Sequence, residues 1–173
     1  MVDGIILASA EQDLSRAPVI KKISVPIVTL DRDIDGVRYV GVVKINNMKG
    51  AYDAVKHMID RGYKKILHIS GPMRDHTAQS RYEGYLQAHI DLGVMPPKEN
   101  VYHGGFSYKS GYNITNELLE KGAEFDGLFC CNDLMAFGAL KALADNGEIE
   151  AKVVEKAIKT YKIEVNKPNP LDV

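Results

Sequence analysis

Along the chain, short runs of β-branched and aliphatic residues alternate with longer segments whose apolar residues recur every three to four positions. That alternation limits the fold more than any other feature, because strands joined through helices return in the same direction. It predicts α/β layers built on parallel sheets. The strand runs fall at residues 4–7, 26–30, 65–70, 100–104 and 127–131, with 39–45 a sixth of weaker pattern; the helical segments fall at 13–22, 49–61, 77–92, 108–120 and 134–145. Gly62, Gly93, Gly122 and Gly147 each stand just past a helical segment, where a left-handed C-terminal cap suits glycine. The strands are apolar throughout rather than alternating, so helices are expected on both faces of the sheets. In such doubly wound folds ligands sit beyond the carboxyl ends of the strands.

Composition narrows the class. At 173 residues, 45% hydrophobic and 26% charged, the chain makes one globular domain or two small lobes and buries about 70% of its extended surface without staples. A formal net charge of −1 and the lack of any clustered Lys/Arg run argue against non-specific attraction to nucleic acid or membrane. Cys130 and Cys131 are adjacent, a spacing that fits neither a disulfide framework nor a zinc site, and this predicts a reducing, cytoplasmic setting. Residues 1–7 show no basic stretch followed by a long apolar run, so no secretory leader is expected. His57, His68, His76, His89 and His103 have no metal-ligand spacing. Residues 31–36 match half of a calcium loop, but Val42 stands where the bidentate glutamate is required. A phosphoryl-accepting Asp31 would need a lysine or serine signature that does not follow. With no nucleophile elbow, phosphate loop or dinucleotide fingerprint, neither catalysis nor a cofactor is expected.

The residues after the strands carry the chemistry. Asp31 and Arg32 follow Leu30; Gly71 and Pro72 follow Ser70 and lead to Thr77 and Arg81; Phe106 follows Gly104 and Gly105; Asn132 and Asp133 follow Cys131. A carboxylate, a guanidinium, an amide and an aromatic ring on one rim suit a polyhydroxylated ligand, whose paired hydroxyls take hydrogen bonds while the ring covers its apolar face. Each residue also has a plainer role open to it. Asp133 suits a helix cap, Arg81 an exposed helix position, Phe106 a loop anchor and Asp31 a turn.

In order and spacing, the runs V2-D-G-I-I-L, P26-I-V-T-L-D-R, R61-G-Y-K-K-I, I69-S-G-P, R81-Y-E-G-Y and N132-D-L-M-A-F-G-A resemble the effector-binding core of lactose-repressor (LacI/GalR) type transcriptional regulators, over residues 2 to about 147. The resemblance implies a type I periplasmic-binding-protein-like α/β fold of doubly wound parallel sheets, which binds a small effector and dimerises. In that family an N-terminal helix-turn-helix reads operator DNA. Arg81, in the R-x-x-G-Y motif, then becomes the most regular effector contact. Asn132 and Asp133 take the cleft N-D position, Phe106 the aromatic lid, and Thr77, Asp31 and Arg32 cleft positions that vary with ligand.

Against the family pattern, nothing here matches the DNA-binding helices or the first strand–helix units. The expected organisation is therefore a remnant of the first lobe over 1–45, a nearly complete second lobe over 46–147 and an atypical tail over 148–173. In the tail, Ile149, Val153, Val154, Ala157, Ile158 and Tyr161 recur at helical spacing, and residues 161–165 alternate as a short strand would. Unpaired edges at 4–7 and 26–30 predict a homodimer or swapped assembly. The implied effector is a sugar, phosphosugar or purine, with operator DNA engaged only through a domain this sequence does not contain and no membrane partner. A freestanding periplasmic-type sugar-binding protein and a folded fragment that binds nothing are the alternatives.

Overall fold

The computed structural model describes residues 2–8, 19, 22–30 and 40–149. Asp31 and Arg32, the tail elements expected beyond residue 149, and all but residues 19 and 22 of the helix expected at 13–22 lie outside the described residues. The chain divides into two compact units, Met1–Asn47 and Met48–Val173.

In the first unit, β1 (Ile5–Leu7), β2 (Ile27–Leu30) and β3 (Val40–Val43) form a parallel sheet in the order β1-β2-β3. The register sets Ile27 between Ile5 and Val40, and Val28 between Ile6 and Gly41. Ile27 and Thr29 are buried on one face of this sheet; on the other, Ile6 is 75% and Val43 57% exposed. Apolar composition records that a strand is able to be buried, not which of its faces finds a cover.

The second unit alternates α1 (Asn47–Asp60), β4 (Ile66–Ser70), α2 (His76–Ile90), β5 (Val101–His103), α3 (Tyr108–Glu120), β6 (Gly127–Cys130) and α4 (Asp133–Asp145), with a short 3-10 turn at Lys98–Asn100. Its sheet is parallel in the order β5-β4-β6. The central strand β4 is buried at all five positions. Alternation along it explains why. Ile66 faces Val55 of α1 and Tyr85 and Ala88 of α2, while Ile69 faces Met135 of α4 with Ile114 of α3 beside it. Helices thus cover both faces of this sheet.

Local signals start and stop these helices. Asp75, Ser107 and Asn132 cap α2, α3 and α4 by accepting backbone N–H bonds. The four glycines foreseen at helix ends all have positive φ, between 63° and 94°. A closer constraint joins α3 to α4. A Cβ at Gly111 would lie 2.1 Å from the Met135 carbonyl oxygen and one at Gly138 2.1 Å from that of Tyr108, so the two backbones touch only because both residues are glycine.

His68 sits on β4 inside this core. Its ring lies 5.1 Å from Tyr85 and 4.9 Å from Phe129, nearly parallel to both, and its Nδ1–H donates to the Phe129 carbonyl at 2.9 Å. Nε2 has no hydrogen-bond partner. Burial first, and the nearby His103 second, push its pKa down from 6.5 to about 4, against the pull of the Phe129 carbonyl. Because the folded state holds this imidazole neutral, the unfolded chain binds the extra proton between those two values. Stability is then fully present above pH 6.5 and is lost as pH falls toward 4. The expected loss from this residue is about 3 kcal/mol, read from urea unfolding at pH 7 and pH 4. His68→Leu should flatten that part of the profile; an unchanged profile would place the acid sensitivity elsewhere.

Candidate functional site

Parallel strands deliver their following loops to one edge, and at the carboxyl edge of the second sheet three of these loops meet α2. Backbone bonds extend the strand pairing to that edge: Gly104 N–H donates to Ser70 O at 2.7 Å and Cys131 N–H to Ile69 O at 2.8 Å. The loop from Gly71 to Asp75 turns on a bond from Asp75 N–H to Pro72 O at 2.9 Å and is held by Gln79 Nε2 donating to Met73 O at 2.7 Å. Asp75, only 3% exposed, then opens α2 by accepting from the backbone N–H groups of Thr77 at 2.9 Å and Ala78 at 3.3 Å.

Arg81 stands one turn further along α2, half-buried, and its guanidinium Nη1 donates to the Cys131 carbonyl at the end of β6. It is therefore not a solvated surface residue. Arg81 and the Gly71 backbone also stabilise the Cys131 thiolate, but burial outweighs them and raises the thiol's pKa. Burial pushes Cys130 up to about 12 as well. Both cysteines are free and stay protonated thiols at neutral pH.

Phe106 has φ 58°, the only positive value recorded for a non-glycine among the described residues. Its ring packs against the cluster of Ile69, Ala78, Cys131 and Met135 and lies over Gly71, where a Cβ would come within 2.3 Å of Cε1. Asn132 fixes this loop from the other side: Nδ2 donates to the Phe106 carbonyl at 2.9 Å, while Oδ1 accepts from Met135 N–H at 3.0 Å. One amide thus caps α4 and clamps the β5–α3 loop. The cap considered for Asp133 belongs to Asn132, since the helix begins one residue earlier than its apolar pattern suggests. Asp133 is the exposed first residue of α4, where the helix dipole favours a negative charge.

Arg81, Phe106 and Asn132 are thus linked through Gly71 and Cys131, with Thr77 half-buried in the first turn of α2 and Asp133 at the outer margin. Sequence reasoning missed Asp75. An aspartate followed by a helical segment was the available signal, a helix start that the apolar periodicity placed at Thr77. It also passed over Ser70 and His103, whose Oγ and Nδ1 lie 2.8 Å apart. That contact has the spacing of a nucleophile and its base, but Ser70 is fully buried and its hydroxyl lies 3.0 Å from the Gly71 carbonyl it can donate to. Among the described residues, no three His, Cys, Asp or Glu side chains gather as metal ligands.

A three-layered parallel α/β lobe with a polar rim at its strand ends has the form of a periplasmic-binding-type lobe. The chain belongs to the family described as periplasmic binding proteins and the sugar-binding domain of the LacI family, matched over residues 1–162. It is 33% identical to the HTH-type transcriptional repressor PurR of Pasteurella multocida over 147 residues, covering 84% of this chain and 44% of that protein. PurR of Mannheimia succiniciproducens is also 33% identical, over 152 residues. The chain thus spans less than half the length of these curated relatives. Among solved structures, a cellobiose complex of the transcriptional regulator CelR superimposes with a TM-score of 0.72 at 32% identity, over 84% of this chain and 45% of that one. Transcription regulator CcpA of Lactococcus lactis does so with a TM-score of 0.71 at 29% identity, over 84% and 53%.

The double use of Asn132 has a measurable consequence. Asn132→Ala should cost about 1–2 kcal/mol, the ordinary loss of a helix cap, and Asp133→Ala only about 0.3–1 kcal/mol. Urea unfolding of the two variants checks the order; equal losses would show that Asn132 is not the cap.

Proposed function

We propose that this chain is the effector-binding core of a LacI-type transcriptional regulator and that it binds a sugar, phosphosugar or purine. The observation that carries this reading is the linked rim of Arg81, Phe106 and Asn132, fixed to one another through the ends of three strand–loop units. Guanidinium, amide and ring are held before any ligand arrives, which lowers the ordering cost of binding. The cellobiose complex of CelR supports the sugar class.

Arg81 and Asn132 then bind the hydroxyls or ring edges of the effector, Phe106 covers its apolar face, and Thr77 and Asp133 line the margin. In this reading residues 1–45 belong to a first lobe and 46–147 to a second. Effector binding shifts a conformational equilibrium and with it DNA affinity in the full-length regulator. In this reading the protein works in the cytoplasm as a homodimer or swapped assembly and performs no catalysis. No helix among the described residues is long and apolar enough to cross a membrane, and the serine of the rim's serine–histidine contact is buried.

A thermal-shift screen against cellobiose, ribose, sugar phosphates, hypoxanthine and guanine tests the reading, with Arg81→Ala alongside. A ligand at about 100 times its Kd adds roughly 2.7 kcal/mol of stability. The expected result is a shift with at least one ligand that Arg81→Ala abolishes while retaining its own melting transition. No shift with any ligand class would reduce the chain to a folded lobe without effector function.

A further inference from the structure

At the opposite, amino-terminal edge of the second sheet lies a groove of about 710 Å³. Leu119, Ala123, Phe125, Leu128, Leu143 and Ile149 form its apolar wall, and each is only half-buried. The groove meets β6, the outer strand of its sheet among the described residues, at Gly127 and Leu128, where the strand begins. Gly127 and Cys131 N–H donate toward β4, to Lys65 O and Ile69 O, so alternation turns the backbone groups of Leu128 and Cys130 outward. An apolar groove beside an open strand edge is a surface that soluble proteins cover, often with a helix.

The covering piece is identifiable by continuity, pattern and charge. Ile149 belongs to the wall and Gly147, with φ 77°, turns the chain just before it, so the described residues end at the groove. From Ile149 onward, Val153, Val154, Ala157, Ile158 and Tyr161 recur at helical spacing. Twelve residues of helix extend roughly 18 Å, longer than the four-residue β6. The groove's charged margin carries Glu124, Asp126 and Glu148 against Lys65 alone, whereas residues 150–161 carry Lys152, Lys156 and Lys159 against Glu150 and Glu155. The margin is net negative and the segment net positive.

The geometry points to residues 150–161 as an amphipathic helix seated in this groove, covering the β6 edge with its own chain. A second copy of the protein is the competing occupant. The covered edge lies on the strand whose far end supplies Cys131 and Asn132 to the rim, so the segment steadies the effector lobe from the side remote from ligand.

The test uses the full chain with p-benzoyl-phenylalanine in place of Phe125, mixed in equal amounts as ¹⁴N and ¹⁵N protein and photolysed. The expected product joins position 125 to a residue within 150–161 of the same isotope. Cross-links of mixed isotope would assign the groove to a second copy and overturn the proposal. Hydrogen–deuterium exchange on the unsubstituted chain gives an independent reading. Residues 150–161 should exchange at least tenfold more slowly than an unstructured peptide of that sequence, and Val153→Asp with Ile158→Asp should remove that protection. Unprotected amides at 150–161 in the unsubstituted chain would also overturn it.

Discussion

Strand β4 is buried at every position, and a strand in that situation has to be covered on both faces while pairing on both edges. The chain meets this demand with α1 and α2 against Ile66 and His68, α3 and α4 against Ile69, and β5 and β6 alongside. Everything at the candidate site descends from that arrangement. With three parallel strands in register, the segments after Ser70, His103 and Cys130 emerge at one edge, and the helix that follows β4 brings Arg81 back across to the end of β6. The core that excludes water also fixes the geometry of groups that meet it.

The rim shows how little freedom those groups retain. Asn132 spends its oxygen on α4 and its nitrogen on the Phe106 carbonyl, and Arg81 reaches the Cys131 carbonyl. Phe106 holds a left-handed backbone that costs a non-glycine residue about 1 kcal/mol. Its ring gains contact over Gly71 and the Ile69 cluster in return. Strain of this kind persists only where surrounding bonds over-determine the conformation, as they do here. The rim's serine is buried and its thiols are held protonated by burial.

Much of the second unit was legible in the residues because several independent signals agreed. Apolar runs, helical periodicity and glycines past each helix end place α1 to α4 and β4 to β6 within a few residues of where they stand. Arg81 was legible as a candidate from its place after β4 and from its motif, but nothing in helical spacing tells a guanidinium lying against a strand end from one in solvent. Asp75 and Asn132 show the limit at helix starts. A cap is a polar residue just before an apolar pattern, and where Asn132-Asp133 or Asp75-His76-Thr77 offers several polar residues in a row, only the backbone angle selects one. In the first unit the three strands stand within two residues of their apolar runs, but composition does not give their burial, as Ile6 and Val43 are apolar and exposed while Thr29 is polar and buried.

By itself the sequence determined the parallel α/β class, the alternation of strands and helices, and the edge on which binding residues gather, because periodicity and glycine placement are local properties that each short segment carries. Only the tertiary structure decided which amide clamps the Phe106 loop, that Arg81 spans to Cys131, and that one sheet is covered on both faces while the other leaves Ile6 bare. Those outcomes depend on contacts between residues far apart in the chain, such as the 50 positions between Arg81 and Cys131. A guanidinium or an amide has several partners within its chemistry, and the packing of helices on β4 selects among them.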